Sequence, residues 1–191
     1  LQGDIGGVLQ IQGGISSTGY RNAVPPSDVS KLDADDLLQG GSAVIVAGNV
    51  GGGIIFDVPP KDNDPANKDE DNDGIEDSKE GSAVVLTKGS AAAVQIGSAT
   101  ANTAIGPVAG TAAGGHGIVI NGSILGDGAY KDIQGNGLVI GGLGGNVSVA
   151  GGMTVNGSVS ASSNAANATA VRLGSGATVP TIKTVGAITA T

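Results

Sequence analysis

Gly117-Ile-Val-Ile-Asn-Gly-Ser-Ile124 is the stretch that decides the fold, because it joins two short aliphatic runs through an Asn-Gly corner. Met153-Thr-Val-Asn-Gly-Ser-Val159 repeats the same plan. β-Branched residues favour strands, and Asn-Gly pairs adopt the positive φ angles that tight corners require. The sequence therefore predicts an all-β chain of short strands and tight turns.

Other segments of the chain share this character. They are Ser42–Ala47, Ser82–Thr87, Gly137–Gly142, Asn146–Val149 and Thr181–Val185. No segment keeps a helical period over three turns, and only Val29–Leu38 is predicted to form a short helix.

The composition indicates what kind of β-fold these strands build. The 191 residues include 36 Gly, no Cys and no Trp, yet 39% are apolar, which argues against disorder. The glycines do not follow the collagen period, and the missing cysteines exclude disulfides and thiolate sites. With two Tyr and one Phe, the core must be thin and aliphatic, which favours stacked coils of a β-solenoid.

Internal similarity predicts how the coils are arranged. Gly41-Ser-Ala-Val44 recurs as Gly81-Ser-Ala-Val84, and Val-Pro-Pro precedes each copy. We therefore expect loop insertions at 24–40 and 57–80 that leave equivalent corners. Gly117-Ile-Val-Ile120 and Gly137-Leu-Val-Ile140 suggest a coil of about 20 residues. A β-sandwich filament subunit is the alternative fold.

The C-terminal part resembles a known family. Met153-Thr-Val-Asn-Gly-Ser-Val159 followed by Gly174-Ser-Gly-Ala-Thr-Val179 is similar to coils of bacterial autotransporter passengers. This resemblance implies a right-handed parallel β-helix, exported through an outer-membrane barrel and displayed at the cell surface. It also implies that residues 1–191 are a single β-solenoid segment of a longer chain.

The acidic residues are concentrated in one stretch. Ten of the seventeen lie in Asp57–Glu80 with three lysines, and 69–80 fits the calcium-loop pattern D-x-D-x-D-G-x5-E. The pattern supplies oxygen ligands for Ca²⁺, and Gly74 allows the sharp turn. The predicted ligands are the side chains of Asp69, Asp71, Asp73, Asp77 and Glu80 and the carbonyl of Ile75.

The residues before this pattern resemble the opening of thrombospondin type 3 repeats. Asp62-Asn-Asp-Pro65 carries the likeness, which makes Asp62 and Asp64 candidate extra ligands. Glu76 occupies a position that is usually apolar in an EF-hand, so we expect a loop without flanking helices. The alternative is a solvated acidic loop that binds no ion.

Several function classes lack a sequence signal. A net charge of −8 with nine Lys and Arg disfavours nucleic-acid binding, and no apolar run is long enough to span a bilayer. The single His116 lies in a Gly-rich turn, and no nucleophile or phosphate-binding motif is present. Four asparagines are expected to form hydrogen-bonded ladders along corners; they are Asn121, Asn146, Asn156 and Asn167.

Together these features predict a non-enzymatic extracellular structural protein, a passenger stalk or adhesin stabilised by Ca²⁺. Its expected partners are copies of itself in fibres and a host or matrix surface ligand. One alternative is a subunit of an extracellular filament, such as a biofilm-matrix fibre, assembled end to end or by strand exchange. The least favoured alternative is a β-helix enzyme that degrades polysaccharides through paired carboxylates.

Overall fold

The computed structural model describes residues 1–72, 74–110 and 115–191, and this part of the chain is all-β. Strands make up 40% of it, and helix 3%, in two three-residue 3₁₀ segments. The expectation of an all-β chain is confirmed.

The described strands form four parallel sheets. The first contains β1 (Leu9–Ile11), β4 (Ile54–Phe56), β8 (Ile118–Ile120), β12 (Met153–Val155) and β16 (Ile182–Thr184). The second contains β2 (Gly14–Thr18), β5 (Val84–Lys88), β9 (Ser123–Lys131), β13 (Ser158–Asn164) and β17 (Ala187–Ala190). The third contains β3 (Val44–Val46), β6 (Ala92–Ile96), β10 (Gly135–Ile140) and β14 (Ala168–Leu173). The fourth contains β7 (Thr103–Ile105), β11 (Val147–Val149) and β15 (Ala177–Thr178).

The chain contributes strands to these sheets in a fixed order, and we call each set of consecutive strands, one from each sheet in turn, a coil. The coils are β1–β3, β4–β7, β8–β11, β12–β15 and finally β16–β17. Every pairing of described strands is parallel. This topology is compatible with a β-solenoid and differs from an antiparallel β-sandwich, whose adjacent strands run in opposite directions.

The predicted coil of 20 residues is wrong. Ser123 pairs with Ser158, 35 residues later, and Ser158 pairs with Ala187 after a further 29. The similar segments at 117–120 and 137–140 are strands of different sheets in one coil. They look alike because every strand of a coil buries the same kind of aliphatic side chain.

Two long excursions interrupt the coils, and they leave different corners. The first excursion, residues 19–43, connects the second and third sheets, whereas the second excursion, residues 57–83, connects the first and second. The prediction of equivalent corners is therefore wrong. Val44 and Val84 both begin strands after a proline-led loop, but these strands belong to different sheets.

The predicted helix at Val29–Leu38 is wrong apart from one 3₁₀ turn at Val29–Lys31. Asp28 caps this turn by accepting a hydrogen bond from the backbone of Ser30, and Leu32 is already extended. The Asp33 carboxylate then accepts hydrogen bonds from the N–H groups of Asp35 and Asp36, at 3.0 and 3.3 Å. Such local side-chain bonds favour turns over a continued helix.

The core consists of aliphatic columns that run from coil to coil. Ile54, Ile118 and Met153 stack at one register position and are fully buried. Phe56 is the single buried phenylalanine, as expected for an aliphatic core. The interior is so narrow that a Cβ on Gly126 would lie 1.9 Å from the carbonyl oxygen of Asn136.

Candidate metal centre and its corner

The second excursion begins at a corner where polar side chains form a ladder. The Asp57 carboxylate accepts hydrogen bonds from Asn121 Nδ2 at 2.8 Å and from Gln10 Nε2 at 3.2 Å. Asn121 Oδ1 in turn accepts from Asn156 Nδ2 at 2.8 Å. Asn156 also accepts from the Thr154 hydroxyl at 3.3 Å. The ladder joins four successive coils, and its single carboxylate belongs to the residue that opens the acidic loop.

The prediction of asparagine ladders is confirmed for Asn121 and Asn156. Asn146 takes part differently, because its backbone N–H donates to Asn102 Oδ1 at 3.0 Å along another corner. The backbone carbonyl of Asn167 accepts from Gly135 at 3.2 Å.

Backbone bonds close the acidic loop at two levels. At its base, the N–H of Ala83 donates to the carbonyl of Asp57 at 2.6 Å, so the excursion returns to the point where it left. Further out, the N–H of Asp77 donates to the carbonyl of Lys68 at 2.9 Å. Between these two residues, Gly74 has φ +92°, the left-handed conformation that the sequence pattern requires of a glycine. The chain therefore folds back on itself around residues 69–77.

This folding brings three predicted ligands together. One carboxylate oxygen from each of Asp69, Asp71 and Asp77 lies within 4.8 Å of the others. Backbone donors orient two of these groups, because Gly74 N–H donates to Asp69 Oδ2 at 3.1 Å and Glu70 N–H to Asp77 Oδ1 at 3.2 Å. Carboxylate oxygens are the ligands that Ca²⁺ prefers, and three like charges so close repel one another without a cation. The three carboxylates present are therefore able to hold a metal ion.

Glu70 is a further acidic group that the sequence pattern does not identify. Both of its carboxylate oxygens are shielded from solvent, and they lie within hydrogen-bond reach of the Asp77 carboxylate. The adjacent Asp77 carboxylate, and then burial, raise the pKa of Glu70 above its ordinary value. The calcium-loop pattern leaves this position unspecified, so only the folded chain reveals that the carboxylate turns inward.

The other predicted ligands have different positions. The charge of Asp62 acts on Glu70, and the Asp64 carboxylate is used in a turn, accepting from the N–H of Ala66 at 3.0 Å. Ile75 is exposed, while the carboxylate oxygens of Glu80 are buried outside the group of three. Asp73 lies outside the described residues.

The elements beside the loop agree with the expectation of a site without flanking helices. Asp77–Lys79 forms a 3₁₀ turn, and no α-helix occurs in the described ranges. A salt bridge between Lys79 and Glu76, at 3.2 Å, lies on this turn. The loop therefore depends on its own turns and on its base for its shape.

Comparisons with family models, with curated proteins and with solved structures found no match. Among the described residues, no helix has the length and apolar character needed to cross a bilayer. Function is therefore inferred from the geometry of the acidic loop and of the corner that carries it.

Proposed function

We propose that this chain is a non-enzymatic structural segment of an extracellular or cell-surface protein, stabilised by Ca²⁺ bound to its acidic loop. The observation that carries the proposal is the convergence of the Asp69, Asp71 and Asp77 carboxylates. The coils are those of a parallel β-helix, right-handed because parallel β crossovers almost always have that hand. In this role the β-helix is a rigid stalk or adhesin of the autotransporter passenger kind.

Asp69, Asp71 and Asp77 would hold the ion, with Glu70 as a further oxygen donor. Binding would bring a positive charge to a stretch that contains ten acidic residues and only three lysines. The mutual repulsion of the carboxylates would then become attraction to a common ion. Extracellular calcium modules commonly bind at about 0.1 to 1 mM, so such a site fills outside cells and not in the cytosol.

The base of the loop links ion binding to the β-coils. Asp57 and Ala83 are hydrogen-bonded to each other, and the next residue, Val84, donates to the carbonyl of Gly13 at 3.0 Å. A disordered loop would leave the ends of β4 and β5 joined by a flexible chain, whereas an ion-bound loop holds them together. We therefore assign calcium a stabilising role rather than a switching one.

The test measures calcium-dependent stability by thermal unfolding, with and without 10 mM Ca²⁺. Binding at about 0.1 to 1 mM stabilises by about 1.4 to 2.7 kcal/mol at this concentration, which raises Tm by about 3 to 10 °C. The Asp71→Asn variant should lose most of this increase, and Asp35→Asn, in the first excursion, should keep it. Limited proteolysis at Lys61, Lys68 and Lys79 should slow when Ca²⁺ is added. An unchanged Tm and unchanged cleavage would mean that the loop is merely acidic.

A further inference from the structure

The first excursion contacts a coil that is not adjacent to its own. It follows β2 of the first coil, and β5 of the second coil lies between β2 and β9 of the third. Even so, the ring of Tyr20 in the excursion packs on the ring of Tyr130 in β9, with ring centroids 4.6 Å apart. The excursion therefore crosses the second coil and links the first coil to the third.

The contact between the two rings is buried and reciprocal. Tyr20 and Tyr130 are each 5% exposed. The Tyr130 hydroxyl donates to the carbonyl of Asn22 in the excursion at 2.9 Å, and the Tyr20 hydroxyl donates to the carbonyl of Gly128 in β9 at 3.3 Å. Buried tyrosines combine apolar contact area with directional hydrogen bonds. The pair therefore holds the excursion in one defined position on the third coil.

The excursion is also bonded to the second coil, which it crosses. The Lys88 ammonium donates to the carbonyl of Ala23 at 2.5 Å, close to the tyrosine pair. The N–H of Ser90 donates to Gln39 Oε1 at 2.7 Å, near the point where the excursion returns to the coils. Both ends of the excursion are therefore fixed to the second coil as well.

The two ends of the excursion lie against each other, so that it forms a closed unit. A Cβ on Gly19 would lie 2.3 Å from the carbonyl carbon of Gln39, which means that the two backbones are in direct contact. Arg21 pairs with Asp36 at 3.2 Å, and Asp36 is only 8% exposed. Because its two arms are joined in this way, the excursion must move as a whole when Tyr20 leaves Tyr130.

Contacts between coils that are not adjacent are unusual for stacked repeats. In such architectures each repeat contacts only its neighbours, so stability is a sum of terms for single repeats and for adjacent pairs. One repeat can then open locally without disturbing the repeat two positions away. The contact between Tyr20 and Tyr130 adds an interaction between the first and third coils, which this description does not contain.

We propose that the first excursion is a latch, which makes the first three coils open together as one cooperative unit. Opening of the first coil between β2 and β3 then requires that the tyrosine contact on the third coil breaks. The latch is independent of calcium binding, because the acidic loop leaves a different corner.

Native-state hydrogen exchange, followed by NMR in 10 mM Ca²⁺ so that the acidic loop stays in one state, tests the latch. The exchange rate of a buried amide reports how often the segment around it opens. Tyr130→Leu, a change in the third coil, should accelerate exchange in β2 and β3 of the first coil at least tenfold, because it removes the ring contact and one hydrogen bond. Tyr130→Phe removes only the hydrogen bond and should accelerate this exchange about two- to tenfold.

A control in the same strand distinguishes the latch from a general loss of stability. Ile124→Val changes a fully buried residue on the core side of β9 and should alter exchange in β2 and β3 less than about threefold. Equal acceleration by Ile124→Val and Tyr130→Leu would refute the latch. So would an unchanged rate in β2 and β3 when Tyr130→Leu accelerates exchange in β9. If Tyr130→Leu does not fold, Tyr130→Phe, which keeps the ring, supplies the same comparison.

A double variant tests whether the two tyrosines act through one contact. Tyr20→Leu should accelerate exchange in β2 and β3 about as much as Tyr130→Leu does. The combined variant should exchange no more than about twofold faster than either single variant, because both changes remove the same interaction. If the accelerations of the two single variants multiply in the double variant, the tyrosines stabilise the coils separately and the latch is wrong.

Discussion

Replacement of Asn121 tests whether the polar ladder stabilises the stack of coils. Asn121 donates to the Asp57 carboxylate at 2.8 Å and accepts from Asn156 at 2.8 Å, so Asn121→Ala removes one charge-assisted hydrogen bond and one neutral bond. These bonds contribute about 1.5 to 3 and 0.5 to 1.5 kcal/mol when buried. Because this corner is partly exposed, we expect a loss of about 2 kcal/mol in the free energy of unfolding and a Tm lower by about 4 to 8 °C.

Two further variants separate the contributions. Asn156→Ala leaves the Asp57 bond intact and should cost about 1 kcal/mol or less. Asn121→Asp places a second carboxylate next to Asp57, where two charges about 4 Å apart repel by roughly 1 to 4 kcal/mol, depending on their exposure. This variant should therefore be less stable than Asn121→Ala at pH 7.

The assay is urea-induced unfolding at pH 7 followed by far-UV circular dichroism, in excess Ca²⁺ so that the acidic loop stays in one state. The order of stability at pH 7 should be wild type, Asn156→Ala, Asn121→Ala and Asn121→Asp. If Asn121→Asp matches Asn121→Ala at pH 7, or if Asn156→Ala costs as much as Asn121→Ala, the ladder does not stabilise the corner as reasoned.

Three other predictions follow from the core and the acidic loop. Gly126→Ala should prevent folding or lower Tm by more than 10 °C, because its Cβ meets a backbone carbonyl oxygen, whereas Gly41→Ala has open space and should change Tm little. Ile118→Ala, at a fully buried site, should cost about 2 to 5 kcal/mol in denaturant titrations, and Ile182→Ala, half-exposed in the last coil, less than half of that. Without Ca²⁺, the pKa of Glu70 is raised in the folded loop, so the folded state holds this proton up to a higher pH than the unfolded chain does. The contribution of Glu70 to the free energy of unfolding therefore falls as pH rises above about 4.5. Ca²⁺ affinity measured by calorimetry should therefore rise over the same range with proton release, and Glu70→Gln should remove that pH dependence.

The strands were predictable because their signal is local. Ile118–Ile120 and Met153–Val155 are strands of one sheet, and the Asn-Gly pairs after them form the corners. The expected positive φ is wrong for both pairs; Gly122 and Gly157 are needed because they pass close to backbone carbonyl oxygens. In both, β-branched residues and turn residues alternate over a few positions, and no long-range information is needed to interpret them. The hydrogen bond between Asn121 and Asn156 follows in the same way, because equivalent corner residues of neighbouring coils must stack.

The arrangement of the coils was less predictable because it depends on which strands pair. Gly41-Ser-Ala-Val44 and Gly81-Ser-Ala-Val84 have identical residues but lead into different sheets. A short aliphatic motif predicts a strand that contributes to the core, but it does not determine which strands pair with that strand. The spacing between similar motifs was misleading about the coil length for the same reason, because two similar motifs can lie within one coil and not in successive coils.

The acidic loop was predictable in part. Gly74 takes the positive φ that its place in the pattern demands, and Asp69, Asp71 and Asp77 converge as the spacing indicates. Glu70 could not be identified, because its inward orientation is set by contact with Asp77 and not by a sequence rule.

The unequal spacing of paired strands has a consequence for the order of folding. Ser158 pairs with Ala187 after 29 residues, whereas Gly14 pairs with Val84 only after 70, because both excursions lie between them. Closing the longer loop costs about 0.8 kcal/mol more in chain entropy. Pairing between strands that are far apart in sequence is also slower than pairing between nearby strands. We therefore expect the coils nearest the C-terminus to nucleate folding, and the first coil to dock onto a stack that already exists.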